Sequence, residues 1–190
     1  MEALKKRIVE DGQNLGGGIL KIDSFLNHQI DALLMEQVGE EISRIFADKR
    51  PSRILTAEVS GLIPAAMVGK AMGNIPVVYA RKRKPITMKE PVYIETAPSH
   101  TKGNEVALMV SPEFLDASDR ILIVDDFLAS GKTIDALVRI IKCAGAELLG
   151  IAAVVEKSFE GGRELLEQWN VPIVAMATIT DMSNGRIVVA

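Results

Sequence analysis

The fold class of this chain follows from residues 121–133, whose sequence is Ile121-Leu122-Ile123-Val124-Asp125-Asp126-Phe127-Leu128-Ala129-Ser130-Gly131-Lys132-Thr133. The four leading apolar residues are typical of a fully buried strand. Two carboxylates follow where that strand is expected to leave its sheet. After Thr133 the apolar residues recur at i, i+3, i+4 and i+7, which predicts a helix with the stripe Ile134, Leu137, Val138 and Ile141. A strand, an acidic pair, a small loop and a helix in this order indicate the carboxyl edge of an open α/β sheet, where ligands bind.

The loop between the acidic pair and the helix predicts a phosphate site. The first turn of a helix has unpaired backbone N–H groups and the positive end of the helix dipole. Ala129, Ser130 and Gly131 are small enough to let an anion approach those groups, and Ser130 and Thr133 add hydroxyl donors. A phosphate is therefore the expected occupant.

Gly131-Lys132-Thr133 has the form of the end of a nucleoside-triphosphate P-loop, but the rest of that motif is missing. A P-loop needs a glycine five residues before its second glycine. Asp126 stands at that position here, so a nucleoside-triphosphate loop is rejected.

Asp125 and Asp126 place two hydrogen-bond acceptors beside the predicted phosphate site, so the ligand is expected to carry donor groups next to its phosphate. The vicinal hydroxyls of a ribose 5′-phosphate, with a divalent cation nearby, meet that expectation. An ordinary strand–helix turn with solvated acids is the alternative. The apolar run, the acidic pair and the small-Ser-Gly-x-Thr loop together resemble the signature of the type I phosphoribosyltransferases, which bind 5-phosphoribosyl-1-diphosphate (PRPP). The resemblance implies that Asp125 and Asp126 hold the ribose hydroxyls and stabilise charge, and that the 5′-phosphate is bound by Ala129, Ser130, Gly131, Lys132 and Thr133.

Composition places the chain among globular proteins. It has 190 residues, 48% hydrophobic and 25% charged, which predicts one domain with a proper core. The net charge of −3 comes without a basic tail, so no nucleic-acid partner is expected. Cys143 is the single cysteine, and neither a signal peptide nor a membrane-length apolar stretch is present. A cytoplasmic protein without membrane association is expected.

Predicted strands alternate with helices along the rest of the chain. Helices are expected at 1–11, 32–47, 63–72 and 163–169, and strands at 19–22, 53–59, 76–80, 148–155, 171–177 and 187–189. This order predicts an α/β fold with a mostly parallel sheet and helices on both faces. Residues 1–190 form one phosphoribosyltransferase domain in this interpretation. The resemblance to the phosphoribosyltransferases implies a hood over the base (residues 1–31). The strand-like pieces at 92–96 and 105–110 predict a flap or antiparallel arm (residues 81–111).

Two other stretches are candidates for binding a diphosphate. Glu58-Val59-Ser60-Gly61 ends a strand and opens a helix, so its small turn can present amides to a second phosphate. A simple helix cap by Ser60 is the alternative. Cations that follow the next predicted strand suit the negative charge of a leaving diphosphate, although such a run is also typical of a solvated turn. These cations are Arg81, Lys82, Arg83 and Lys84, and Arg81, Lys82 and Lys84 are the candidates we retain.

Lys157 follows a buried strand on the expected binding edge, and Phe159 lies two residues further on. A lysine has donors and no acceptor, so it can bond the oxo group of a 6-oxopurine but not the amino group of adenine. Phe159 is suited to covering the face of a base. The alternatives are an exposed lysine and a core phenylalanine.

Three stretches together resemble the bacterial xanthine phosphoribosyltransferases, a purine class of the type I family. They are residues 21–31, residues 124–133 and Glu156-Lys157-Ser158-Phe159. The resemblance implies transfer of the phosphoribosyl group of PRPP to xanthine, with Leu20, Asn27 and Lys157 on the base. It also implies a homodimer, and Mg²⁺ that arrives on PRPP rather than in a metal site of the protein. A role for Asn27 as a turn residue is the alternative at that position.

Two other functions stay open at this stage. The base could be guanine or hypoxanthine, because Lys157 distinguishes only the 6-oxo group. The fold also serves PRPP-sensing regulators of transcription, which need a nucleic-acid surface that neither the charge nor the chain length favours.

Overall fold

The structure, a computed structural model, describes residues 1–98 and 105–190. The helices are α1 (Glu2–Asp11), α2 (Ala32–Ile45), α3 (Leu62–Ala71), α4 (Lys132–Ala144) and α5 (Gly162–Leu166). The strands are β1 (Gln13–Asn14), β2 (Leu20–Lys21), β3 (Arg53–Ala57), β4 (Val77–Ala80), β5 (Tyr93–Pro98), β6 (Glu105–Val110), β7 (Arg120–Leu128), β8 (Glu147–Lys157), β9 (Ile173–Asp181) and β10 (Val188–Val189). None of the helices in the described part of the chain combines the length and the apolar character that crossing a membrane requires.

Six strands form the central sheet in the order β10-β9-β8-β7-β3-β4. The five strands from β9 to β4 are parallel, and β10 pairs with β9 in the antiparallel sense. The prediction of a mostly parallel sheet is confirmed. Since β3, β7 and β8 are neighbours and run in the same direction, the loops that follow them meet at one edge.

Alternation along the central strands sends side chains into two separate cores. Leu122 and Val124 of β7 pack in a cluster with residues of α1, α2 and α3. Ile121 and Ile123 of the same strand pack in a second cluster with residues of α4, α5 and the β5–β6 pair. A strand that is buried on both faces needs apolar residues at successive positions, which explains the continuous apolar run Ile121-Leu122-Ile123-Val124.

Glycines begin and end α4, the helix that follows the candidate phosphate loop. Gly131 is its N-cap with φ 73°, and Gly145 is its C-cap with φ 74°, where a side chain would be strained. Between them the buried residues lie on one face of the helix. The cap at Gly131 therefore fixes where the helix starts.

β7 and β8 differ from their predicted limits. β7 continues to Leu128, so Asp125 and Asp126 lie inside the strand rather than after it. The reason is pairing with β8, which extends from Asp125–Ala153 to Leu128–Glu156 and keeps the backbone extended beyond the apolar run. The acids consequently gain the rigidity of a paired strand.

The hood and the flap are built from short elements. In the hood, β1 and β2 form a two-stranded antiparallel pair around residues 16–18, which we call the glycine turn, and Asp23–Asn27 form one π-helical turn. In the flap, β5 and β6 pair in the antiparallel sense. The flap prediction also covers residues 99–104, which lie outside the described residues.

Candidate active site

A cavity of about 580 Å³ opens at the carboxyl ends of β3, β7 and β8. Elements far apart in the sequence contribute to its wall, including the hood. Its lining residues are Gly17, Gly18, Ile19, Leu20, Asn27, Ala57, Glu58, Val59, Ser60, Lys82, Asp125, Asp126, Phe127, Ala129, Gly131, Thr133, Ile134, Lys157 and Glu160. Most of the residues that the sequence predicts for ligand binding therefore meet in one place.

The acidic pair lies in the wall of this cavity with its first member almost fully buried. Asp125 is 5% exposed, and its Oδ1 accepts the backbone N–H of Asp126 at 3.1 Å. Burial raises the pKa of Asp125 well above its ordinary value, and the neighbouring Asp126 charge raises it further. A Cβ atom at Gly61 would overlap the carboxylate of Asp125, so only glycine permits this approach between α3 and β7.

The phosphate loop (residues 129–133) is braced from behind by the start of α5. Ala129, Gly131 and Thr133 line the cavity, while Ser130 and Lys132 belong to the same loop away from its wall. A Cβ atom at Gly131 would lie 2.7 Å from the carbonyl oxygen of Gly162, so the two glycines let α5 press on the loop. The buried hydroxyl of Ser130 finds no hydrogen-bond partner among the described residues. The loop is thus held in shape before any ligand binds.

The turn after β3 faces the cavity with Glu58, Val59 and Ser60. Gly61, rather than Ser60, is the N-cap of α3, so the alternative of a simple cap by Ser60 is not what the structure contains. The Glu58 carboxylate accepts the backbone N–H of Lys82 at 2.6 Å. Glu58 therefore ties the end of β3 to the segment after β4.

The basic run at 81–84 divides between the cavity and other partners. Lys82 lines the cavity. Arg81 is paired with Glu58 at 2.8 Å and lies 5.5 Å from the Tyr79 ring centroid. Lys84 is paired with Glu90 in the flap. Of the three retained cations, Lys82 is the one that the structure brings to the wall.

Lys157 is the cation at the end of β8, and its ammonium is already engaged. Its Nζ donates to the carbonyl oxygen of Gly18 at 2.9 Å and to Oε1 of Glu160 at 2.7 Å. The ring of Phe127 lies 5.8 Å from the same nitrogen. The end of β8 is thus hydrogen-bonded to the glycine turn of the hood.

The other predicted base-contacting residues occupy different environments. Leu20, which is 8% exposed, and the exposed Asn27 both line the cavity. Phe159 is 44% exposed and lies against the glycine turn, where its Cε2 would be 3.6 Å from a Cβ atom at Gly18. Leu20, Asn27 and Lys157 are therefore gathered around the cavity, whereas Phe159 flanks the turn next to it.

Three carboxylates near the site escaped sequence reasoning. Glu58 and Glu160 line the cavity, and Glu156 is 2% exposed behind it. Glu156 accepts two hydrogen bonds from Arg163, from Nε at 2.7 Å and from Nη2 at 2.6 Å. All three lie within three residues of a residue that the motifs identified. Glu160 pairs with such a residue, Lys157, whereas Glu58 and Glu156 pair with Arg81 and Arg163 from other elements. Proximity in the sequence was the available signal, and it did not identify the partners of Glu58 and Glu156.

Solved structures of other proteins share this architecture. The adenine phosphoribosyltransferase of Thermoanaerobacter pseudethanolicus aligns with a TM-score of 0.75 and 21% identity, covering 93% of this chain and 98% of its own. That of Rhodothermus marinus aligns with a TM-score of 0.76 and 20% identity, covering 94% and 100%. The predicted type I phosphoribosyltransferase fold is confirmed by these alignments.

Sequence comparison then gives the family. The family model for the phosphoribosyl transferase domain matches residues 23–181. The xanthine phosphoribosyltransferase of Deinococcus deserti is 46% identical over 189 residues, covering 100% of this chain and 97% of the relative. That of Lactobacillus delbrueckii subsp. bulgaricus is 44% identical over 188 residues, covering 99% of each. The chain belongs to the phosphoribosyltransferase family, as the sequence motifs predicted.

Proposed function

We propose that this chain transfers the 5-phosphoribosyl group of PRPP to xanthine, giving xanthosine 5′-monophosphate and diphosphate in purine salvage. The observation that carries the proposal is the convergence of the acidic pair, the phosphate loop and Lys157 on one cavity. The names of the Deinococcus and Lactobacillus relatives, which match nearly end to end, support xanthine as the base.

In the proposed complex, PRPP lies along the ends of β3 and β7. Amides of residues 129–133 bind the 5′-phosphate, helped by the positive end of α4. Asp125 and Asp126 accept hydrogen bonds from the ribose hydroxyls. The turn with Ser60 and Gly61 and the side chain of Lys82 face the diphosphate, and Lys82 is the cation that the cavity geometry favours for that role. Arg81 and Lys84 act on the same group if their pairs with Glu58 and Glu90 open.

The chemistry we propose is a displacement at C1′ of the ribose. A nitrogen of the purine attacks C1′ as the bond to diphosphate breaks, and the purine releases the N–H proton of its five-membered ring to solvent. Positive charge develops on the sugar in the transition state while negative charge develops on the leaving group. Asp125 and Asp126 stabilise the first charge and Lys82 the second. Holding both substrates in one cavity supplies the rest of the rate acceleration through proximity and orientation. No covalent intermediate with the protein is needed.

Mg²⁺ fits the donor set of this cavity as a partner of the substrate. Among residues 1–98 and 105–190 there is no group of three side chains that could hold a metal by itself. The cavity nevertheless contains the oxygen ligands of Glu58, Asp125 and Asp126, and Mg²⁺ is commonly bound by one or two carboxylates together with substrate phosphates. When bound, the ion would neutralise the charge of the diphosphate.

Recognition of the base is assigned to Lys157 and Asn27. The Lys157 ammonium donates to an oxo group and would oppose the amino group of adenine, which leaves a polar group unpaired. Asn27 both donates and accepts, which suits the second oxo group and the N–H groups of xanthine. Leu20 packs on the purine ring, and Phe159 supports base binding indirectly by packing against the glycine turn.

The test is steady-state kinetics with PRPP and Mg²⁺ for four bases. We expect kcat/KM to be highest for xanthine, lower for guanine and hypoxanthine, and lowest for adenine. The Lys157→Met variant keeps the length of the side chain without its donors, so its KM for xanthine should rise about 10- to 100-fold while its KM for PRPP stays unchanged. A preference for guanine or hypoxanthine would favour the second candidate function, since both share the 6-oxo group. Equal loss of both affinities would refute the assignment of Lys157.

We further propose that the enzyme is a homodimer of the reducing cytoplasm. A groove of about 340 Å³ beside the edge strand β4 is lined partly by the exposed side chains of Tyr79 and Phe114, which suits a partner surface. Cys143 is an exposed free thiol, as a reducing compartment permits. Analytical ultracentrifugation should give twice the chain mass, and a mass equal to that of one chain would refute the dimer.

A further inference from the structure

The ammonium of Lys157 is fixed by two acceptors, one close to it in the sequence and one from the distant hood. Glu160 lies three residues further on, in the turn Ser158–Glu160, and its Oε1 is 2.7 Å from Nζ. The second acceptor is the carbonyl oxygen of Gly18 in the glycine turn, at 2.9 Å. Both Glu160 and Gly18 line the same cavity as Lys157. The three groups therefore form one junction in the cavity wall.

Counting donors shows what this junction leaves for a ligand. A lysine ammonium has three N–H donors and no acceptor. Within the described part of the chain, Glu160 and Gly18 occupy two of them. One donor remains for a group in the cavity, which is the number that a single oxo group needs.

We infer that Glu160 is a positioning residue for base recognition, because with the Gly18 carbonyl it holds the Lys157 ammonium so that one N–H is directed to the purine oxo group. This inference rests on the proposed function and adds a residue to its specificity site. Lysine is a flexible side chain with a mobile point charge, so an unheld ammonium would have to be ordered when the base binds. Glu160 supplies that order beforehand.

The pair differs from an ordinary surface ion pair in its surroundings. The Lys157 side chain is 14% exposed and that of Glu160 is 27% exposed. By contrast, the pair formed by Lys70 and Glu36 on the helical surface is 65% and 44% exposed. Partial burial limits screening by water and salt, so the Glu160 carboxylate holds the Lys157 ammonium in place before the base binds.

The experiment is a double-mutant cycle with the full-length enzyme. We expect Glu160→Ala to raise the KM for xanthine about 3- to 10-fold with an unchanged KM for PRPP. In the Lys157→Ala background the same change should alter the KM for xanthine less than about 2-fold, because the group through which Glu160 acts is gone. Glu160→Gln, which keeps an acceptor oxygen but loses the charge, should fall between wild type and Glu160→Ala.

Controls separate this inference from the proposed function and from loss of folding. Glu164→Ala removes a carboxylate that is not part of the cavity wall in the described structure, and it should leave both KM values unchanged. If Glu160→Ala raises the KM for xanthine by the same factor with and without Lys157, or does not raise it, the positioning role is overturned. If Lys157→Ala itself spares xanthine, the base assignment of the proposed function is overturned as well. The thermal unfolding midpoint of Glu160→Gln should stay above the assay temperature, so that a changed KM reflects the site rather than loss of folding.

Discussion

The phosphoribosyl side and the base side of the cavity are built in different ways. The phosphoribosyl side consists of Asp125, Asp126 and residues 129–133, which follow one another along β7 and the start of α4. The base side joins the hood to the end of β8, and the hydrogen bond from Lys157 to Gly18 spans 139 positions. One side is a continuous piece of the scaffold, and the other is a contact between segments.

This difference explains which part of the site is rigid and which part can adapt. Asp125 lies in a paired strand and is buried, so its position is set by the core. The base side depends on a turn of three glycines with positive φ and on the exposed Asn27. The paired strand suits PRPP, the substrate that phosphoribosyl transfer always requires. The turn and the exposed side chain suit the base, which differs from one phosphoribosyltransferase to another.

The largest effect should come from the acidic pair. Asp125→Asn keeps the shape and one acceptor oxygen but removes the negative charge that faces the developing sugar cation. We expect kcat to fall about 10²- to 10³-fold, as when other preorganised electrostatic groups are removed. Steady-state kinetics at saturating PRPP and xanthine measure this loss. Activity within 3-fold of wild type would mean that the phosphoribosyl side does not stabilise the transition state through the charge of Asp125.

The same substitution should change how stability depends on pH. The pKa of Asp125 in the folded state is raised above the ordinary 3.8, by burial and then by Asp126, although the Asp126 N–H opposes the shift. The folded state therefore holds this proton more tightly than the unfolded state, and the free energy of unfolding falls as pH rises from 3.8 to the raised pKa. Asparagine cannot ionise, so Asp125→Asn should lose that fall and be more stable than wild type above this window. Urea unfolding at a series of pH values tests this, and parallel curves would contradict it.

Gly131→Ala should impair the phosphoribosyl side more than any single glycine change in the hood. Alanine is strained at φ 73°, and its Cβ would press on Gly162, so the amides of the phosphate loop must shift. We expect the KM for PRPP to rise at least about 10-fold, since strain of this kind costs about 1–3 kcal/mol. Isothermal titration with PRPP and Mg²⁺ gives the affinity directly.

Gly73→Ala is the matched control for Gly131→Ala. Gly73 has φ 85°, and apart from its chain neighbours no heavy atom of the described residues lies within 4 Å of an added Cβ. The control therefore carries the backbone strain without the contact with α5. It should lose stability but keep the KM for PRPP. An equal rise of the KM for PRPP in both variants would show that lost stability, rather than a displaced phosphate loop, weakens PRPP binding.

Glu156→Gln should separate two neighbours on one strand. The side chain of Glu156 is paired with Arg163 behind the cavity, whereas Lys157 faces the base side. Its hydrogen bond to Arg163 also raises the pKa of that guanidinium. Losing the charge of a buried pair with a partly exposed partner should cost about 2 kcal/mol, or about 4–8 °C in Tm for a domain of this size. The preference among bases should not change, and a lost preference would place Glu156 on the base side.

The sequence predicted more of the phosphoribosyl side than of the base side, because the first is one continuous segment and the second is a contact between distant segments. Residues 121–133 contain strand, acids, loop and helix start in order, and they lie together in the structure, so local chemistry alone predicts a ribose phosphate site there. Glu160 and Gly18 are distant in sequence and meet through Lys157, and no local pattern contains that contact. The extension of β7 to Leu128 was missed because it depends on the partner strand β8. Pairing between distant segments is what a single sequence does not express.

The smallest effect should come from Phe159→Ala, the change that most sharply tests where the base side ends. The Phe159 ring is 44% exposed and lies beside Gly18, so its removal loosens the glycine turn without opening the cavity wall. We expect the KM for xanthine to rise about 2- to 3-fold, since a half-exposed ring gives up only part of its burial energy. Phe159→Leu keeps apolar contact with the turn and should be closer to wild type. If Phe159→Ala instead raises the KM more than 10-fold, the ring must cover the base directly when xanthine binds, and the base side would extend beyond the cavity that the hood and β8 enclose.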